Sequence, residues 1–234
     1  MNVLIVSAHP DDIEINCAGT AAKFIMRGDS VTLCNLCSGS LGHMVIKPAE
    51  LEKIRLKESE TAAKIIGAKR LPAISPDLEL YHQDKPTRDK VVDIIRKAKP
   101  DLIITHHPDD YMCDHVAVSK LVFDASFCAS LPHYKTEIDG IVPICPIYYM
   151  DNLGGFNFEP TEYVDITAEI EKKLKMLSCH QSQLTWMKEH DNIDFAETVK
   201  TFSRMRGLQA GVEYAEGFIQ MRGWGRMTAK RLLP

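Results

Sequence analysis

An α/β domain, a mostly parallel sheet with helices on both faces, is what the sequence predicts. Three observations carry that expectation. Apolar runs such as Val3-Leu4-Ile5-Val6 and Leu102-Ile103-Ile104 lack polar alternation, as strands buried on both faces require. Helically spaced apolar stretches alternate with such runs, as in residues 15–26 and 86–98. At 234 residues the chain can bury one substantial core, and no repeat, low-complexity tract or linker divides it. One domain over residues 1–234 follows.

Taken in order, the first strand passes through a polar turn into the helix of residues 15–26. A second strand covers 30–37, and a small-residue loop, Ser38-Gly39-Ser40-Leu41-Gly42-His43, follows it. No Lys-Ser/Thr pair comes after that loop, so it is not a phosphate-binding P-loop. Pro48 opens a long charged helix that Gly67 stops. A short strand is expected at 71–74, a helix at 86–98 and a buried strand at 101–105. A helix then runs from Val116 to about Ala129. Residues 131–157 are irregular apart from a strand at 147–150, and another strand falls at 163–165. A helix covers 167–178, a polar stretch reaches Asp194, and a last helix spans 195–208. The basic tail (Arg222, Arg226, Lys230, Arg231) reads as a solvated end or an oligomer contact.

Composition narrows the function. A net charge of −4 gives no reason to expect nucleic acid, which would favour a basic patch, as a partner. No apolar run approaches the roughly 20 residues that span a bilayer, and the first residues lack the pattern of a signal peptide. Seven cysteines, an odd number with several in core-like segments, suit reduced thiols in cytoplasm better than a disulfide framework. Cys34-x-x-Cys37 lies in an apolar run without a second pair, which disfavours a redox or zinc role.

Two stretches carry chemistry. The first, His9-Pro10-Asp11-Asp12-Ile13-Glu14, sits on a strand-to-helix turn, at the sheet edge where open α/β domains bind ligands. An imidazole and one carboxylate there supply two ligands for zinc or a similar divalent ion, and the other carboxylate is free to act as a base. An N-cap would explain an aspartate but not the histidine. The second stretch, from His106 to His115, repeats His-Pro-Asp-Asp at the same edge. Catalytic zinc usually takes three protein ligands. His115, whose position the following helix fixes, best supplies the third, with His106 and His107 as pocket lining or support.

These pieces, with Gly19-Thr20, the Gly39–Gly42 loop, Arg55 with Glu58, His180-x-Ser182-Gln183 and Tyr214-Ala215-Glu216-Gly217-Phe218, resemble the LmbE-like, PIG-L family of zinc-dependent N-deacetylases over nearly the whole chain. The resemblance implies a Rossmann-like fold, zinc on His9, Asp12 and His115, and Asp11 as general base. It implies that Arg55 meets the sugar or its substituent; a surface pair with Glu58 is the alternative. His107 is a further substrate-binding candidate. The implied substrate is an N-acetylglucosamine-type conjugate, a small molecule, and the frequent assembly of family members leaves a homo-oligomer open. One departure stands out: many members have His-x-Asp-His where this chain has Met112-Cys113-Asp114-His115. Methionine cannot donate to an oxyanion, so His106, His107, Tyr111 or the metal must do that work. A metal- or sugar-binding protein without turnover is the rival reading. A nucleotide-binding protein is disfavoured, since no Gly-x-Gly-x-x-Gly follows the first strand.

Overall fold

A computed structural model describes all 234 residues. Seven strands form one sheet in the order β3-β2-β1-β4-β5-β7-β6. They are β1 (Asn2–Ser7), β2 (Ser30–Asn35), β3 (Lys69–Leu71), β4 (Leu102–Thr105), β5 (Ile147–Met150), β6 (Glu162–Asp165) and β7 (Ala215–Gln220). The first five pair in parallel, while β7 runs antiparallel between β5 and β6. The expected mostly parallel α/β sheet is therefore present, with an antiparallel edge.

Alternation along β1 explains the layers. Val3 and Ile5 join one core with helices α2 (Ala18–Met26), α3 (Pro48–Ile66) and α6 (Ile170–Leu177). Leu4 and Val6 join a second core with α4 (Lys85–Ala98) and α5 (Cys113–Cys128). Every residue from Val3 to Val6 is at most 1% exposed, which is why the run shows no polar alternation.

Several boundaries differ from the expectations. The helix of residues 15–26 is two helices, α1 (Asp12–Asn16) and α2, broken at Cys17 (φ −151°). Its cause is a distant carboxylate: Glu216 on β7 accepts from the N–H groups of Gly19 and Thr20, 2.9 and 2.7 Å, and so starts α2 afresh. Gly19 is needed there, because a Cβ would lie 2.7 Å from Ile166. The short strand expected at 71–74 runs instead over Lys69–Leu71, with Cys37 and Ser75 bridging beyond it. The polar stretch after His180 is a helix, α7 (Gln181–Asp191), preceding α8 (Phe195–Ala210). Its start is tied down by Glu58, whose oxygens accept from the Ser182 N–H and hydroxyl, both 2.7 Å. Tyr214-Ala215-Glu216-Gly217-Phe218 opens β7, a strand that sequence reasoning missed. The basic tail is not wholly solvated either: Arg226 is buried, donating to the Cys145 carbonyl and the Ser126 hydroxyl. All seven cysteines are free thiols. No helix is long and apolar enough to cross a membrane.

Candidate metal centre and active site

Strand order reverses between β1 and β4, and the crevice at their carboxyl ends holds the site. β1 delivers His9, Asp11 and Asp12, and β4 delivers the loop that ends in Asp114 and His115 on the first turn of α5. This helix begins three residues earlier than expected, so His115 is inside it rather than before it. Side-chain hydrogen bonds lock the first turn: Asn35 Nδ2 donates to Ser7 Oγ and the His9 carbonyl, 2.7 and 2.8 Å, and the His9 N–H donates to Asp12 Oδ2, 2.6 Å.

Ligand atoms of His9, Asp12 and His115 all lie within 4.8 Å of one another. His115 Nε2 is 3.3 Å from Asp12 Oδ1, and His9 Nδ1 is 3.7 Å from Asp12 Oδ2. Each imidazole has its other nitrogen on a carboxylate: His115 Nδ1 on Asp110 Oδ2, 3.1 Å, and His9 Nε2 on Asp114 Oδ2, 3.0 Å. That arrangement fixes ring orientation and turns the remaining lone pairs toward Asp12. His115 Nε2 is buried without a hydrogen-bond partner, as a nitrogen aimed at a cation would be. The donor set, two imidazoles and a carboxylate with supporting carboxylates, fits zinc or a similar divalent ion.

Electrostatics agree. Burial opposes charge on His115, yet the Asp12 and Asp110 carboxylates outweigh it and raise the imidazole to about 10. Burial also works against Asp12, but His115 and His106 hold its carboxyl well below the usual range. The same Asp12 and Asp110 carboxylates that hold a proton on His115 would favour a divalent cation in its place. His106, by contrast, is pushed down to about 4 by burial and then by His115; its Nε2 accepts from the Ala8 N–H, 2.9 Å, and its ring stacks on His115 at 3.8 Å. It supports the centre from behind. Cys37 and Asp77 also lie near His9, but burial, then Asp114, pushes the Cys37 thiol up, and Asp77 already accepts from the Gly39 and Leu41 N–H groups.

Asp11 is built differently from its neighbour. Its backbone is left-handed (φ 110°, ψ −25°), an uncommon conformation for a residue with a side chain. The side chain reaches the cavity, and no hydrogen bond within the protein engages its carboxylate. Burial, then the Asp12 charge, raises it to about 6.

The cavity, about 410 Å³, is lined by His9, Asp11, Asp12 and His115 together with Arg55, so five of the residues singled out in the sequence meet there. Arg55 is 4% exposed and is no surface partner of Glu58: it donates to Gly42 O, 3.1 Å, and to Gln183 Oε1, while Glu58 holds Ser182. Gly39 (φ +76°) makes room for it, since a Cβ there would lie 2.5 Å from Arg55 Cδ. His107 falls outside the cavity; its ring packs edge-on against Tyr149 and Phe158. The partnership of Asp110 with His115 has no signal in the sequence, because a carboxylate five residues before a histidine follows no helical or strand period. Asp110→Asn is expected to weaken metal affinity about 10–100-fold, measured by competition with a chelator, with the fold intact by circular dichroism.

Comparison with known proteins agrees with this geometry. Residues 4–126 match the family described as PIG-L, GlcNAc-PI de-N-acetylase. Diacetylchitobiose deacetylase of Thermococcus kodakarensis is 30% identical, over 92% of this chain and 81% of its own. A 1D-myo-inositol 2-acetamido-2-deoxy-alpha-D-glucopyranoside deacetylase of Saccharopolyspora erythraea is 26% identical, over 84% and 87%. The solved N,N'-diacetylchitobiose deacetylase of Pyrococcus horikoshii superposes with a TM-score of 0.79 at 26% identity, covering 94% of this chain and 83% of that one. The 4-carboxy-2-hydroxymuconate hydratase of Pseudomonas putida KT2440 shares the fold, with a TM-score of 0.82 at 24% identity and coverage of 99% and 100%. With more than half its length inside the matched region and a 30% identical relative along most of the rest, the chain belongs to the PIG-L, LmbE-like family.

Proposed function

We propose that this chain is a zinc-dependent N-deacetylase that hydrolyses the acetamide of an N-acetylglucosamine-type conjugate. One observation carries the reading: a buried carboxylate, Asp11, unengaged and raised to about 6, lies beside the converging His9, Asp12 and His115. The deacetylated sugars named for the relatives support the substrate class. Seven free thiols support a reducing, cytoplasmic setting.

His9, Asp12 and His115 would hold the zinc, which supplies Lewis acidity that acidifies water and polarises a carbonyl. Asp11 takes the proton of the attacking water and returns it to the departing amine nitrogen, so acetate and a free amine result. Arg55, fixed by Gly42 and Gln183, orients the sugar end. An oxyanion donor must replace the histidine that Met112 displaces. Of the three side chains considered, His106 sits behind the metal centre, His107 packs elsewhere, and only Tyr111 lines the cavity. Its phenolic O–H is the donor this reading assigns.

Met112 also favours a second reading, a metal- or sugar-binding protein without turnover. Zinc content and acetate release from a panel of N-acetylglucosamine conjugates separate the two. About one zinc per chain with acetate released is expected; zinc with no acetate from any conjugate supports the second reading.

A further inference from the structure

The cavity at the candidate metal centre opens into others. A second cavity, about 680 Å³, shares Leu78, Tyr111, Met112, Cys113 and Asp114 with it, and a third, about 370 Å³, shares His82 and Lys120 with the second. Together they form one groove. A single face of α5 runs along it: Cys113, Val116 with Ala117, Lys120, then Phe123 with Asp124 recur at helical spacing. From Cys113 to Asp124 that face rises about 16 Å, so the groove is longer than a single sugar ring.

Two kinds of contact alternate in the groove. Aromatic rings are one kind: Tyr81, 66% exposed, in the second cavity, and Tyr149 with Phe123, 39% exposed, in the third. Uncommitted polar side chains are the other. His82, Gln83, Lys120 and Asp124 make no hydrogen bond within the protein. Ser119, in the wall of the third cavity, is 2% exposed, yet its hydroxyl also has no partner in the protein. A buried hydroxyl without a partner is costly, and a ligand in the groove supplies one.

These contacts discriminate between occupants. An acyl chain would strip water from His82, Gln83, Ser119 and Lys120 without bonding them. An anion would meet the Lys120 ammonium, but also the Asp124 carboxylate one helical turn away. An uncharged saccharide meets both kinds of contact. Its hydroxyls donate to carboxylate and amide oxygens and accept from N–H groups, while its C–H faces lie on the aromatic rings.

We propose that the groove binds a linear, uncharged oligosaccharide with one sugar unit in each of the three cavities, the terminal N-acetylated unit lying at the metal centre and the following units along α5. The proposal rests on the deacetylase reading only for the bond that is cleaved.

The test uses the zinc-loaded protein and probes without an acetamide: glucose with its β-1,4-linked di-, tri- and tetrasaccharides, and the α-1,4-linked series beside them, with binding followed by calorimetry. In one of the two series affinity rises at least about tenfold from mono- to trisaccharide and levels off at the tetrasaccharide. Tyr81→Ala, in the second cavity, removes most of the gain from the second unit onward, and Ser119→Ala, in the third, removes most of the gain from the third unit. Affinity that ignores length in both series, or a gain that survives both variants, overturns the proposal. Acetate release from N-acetylglucosamine and its β-1,4-linked di- and trisaccharides separates it from the parent reading. Acetate released with a KM that ignores length removes the extended groove alone. Length-dependent binding without acetate from any of them removes the deacetylase reading and leaves the groove standing.

Discussion

Asp11→Asn lowers the rate of acetate release about 10²–10⁴-fold, the range a general base contributes, and leaves zinc content unchanged. Asparagine keeps the shape and tolerates the left-handed backbone at this position, so the variant removes proton transfer and little else. Zinc is expected to be retained because Asp11 is outside the proposed ligand set of His9, Asp12 and His115. Wild-type turnover in this variant would show that the base lies elsewhere. Acid dependence adds a second signature. Burial, then Asp12, raises Asp11 to about 6, with Arg55, His180 and His9 pulling it back. A base works deprotonated, so kcat/KM falls as pH drops through that value. A bound cation draws the limb lower, to about 6 or below, and residual activity of the variant lacks it. Stability moves the opposite way. A carboxyl whose folded pKa exceeds its unfolded 3.8 loses stability as pH rises from about 4 to about 6. Asp11→Asn in metal-free protein therefore melts higher than wild type at pH 7, and the advantage shrinks toward pH 4.

What was legible in the sequence was whatever local pattern carries. Continuous apolar runs gave β1 and β4, and the turns after them placed His9, Asp12 and His115 at one edge before any contact was known. What was not legible depends on partners far along the chain. Nothing near Cys17 announces a helix break, because Glu216 makes it from nearly two hundred residues away. The segment of α7 carries a weak apolar stripe, and its start is fixed by Glu58 on another helix. His107 and His106 are neighbours in sequence yet point to different places, one against Tyr149 and Phe158, the other under His115. Choosing between adjacent histidines requires the backbone direction at the end of β4, which composition does not encode.

Lys173→Met destabilises the protein by about 3–5 kcal/mol, the cost of stranding one member of a buried ion pair. Lys173 and Glu216 are 1% and 3% exposed, and Lys173 Nζ donates to Glu216 Oε1, 2.6 Å, and to the Ile15 carbonyl, 2.7 Å. The same carboxylate caps the start of α2. The pair thus joins α6, β7 and the junction of α1 with α2, immediately beneath Ile15 and Asn16 of the cavity that holds the candidate site. Methionine matches the aliphatic stem, so lost packing is small and the stranded carboxylate dominates. For a domain of this size the melting temperature falls by about 6–20 °C, read by calorimetry on metal-free protein. A double variant identifies the cause. Lys173→Met/Glu216→Gln costs less than the sum of the single changes, because no charge is left buried. A cost equal to that sum would assign the loss to packing around the lysine stem, and the carboxylate would then be held well enough by the α2 N–H groups alone.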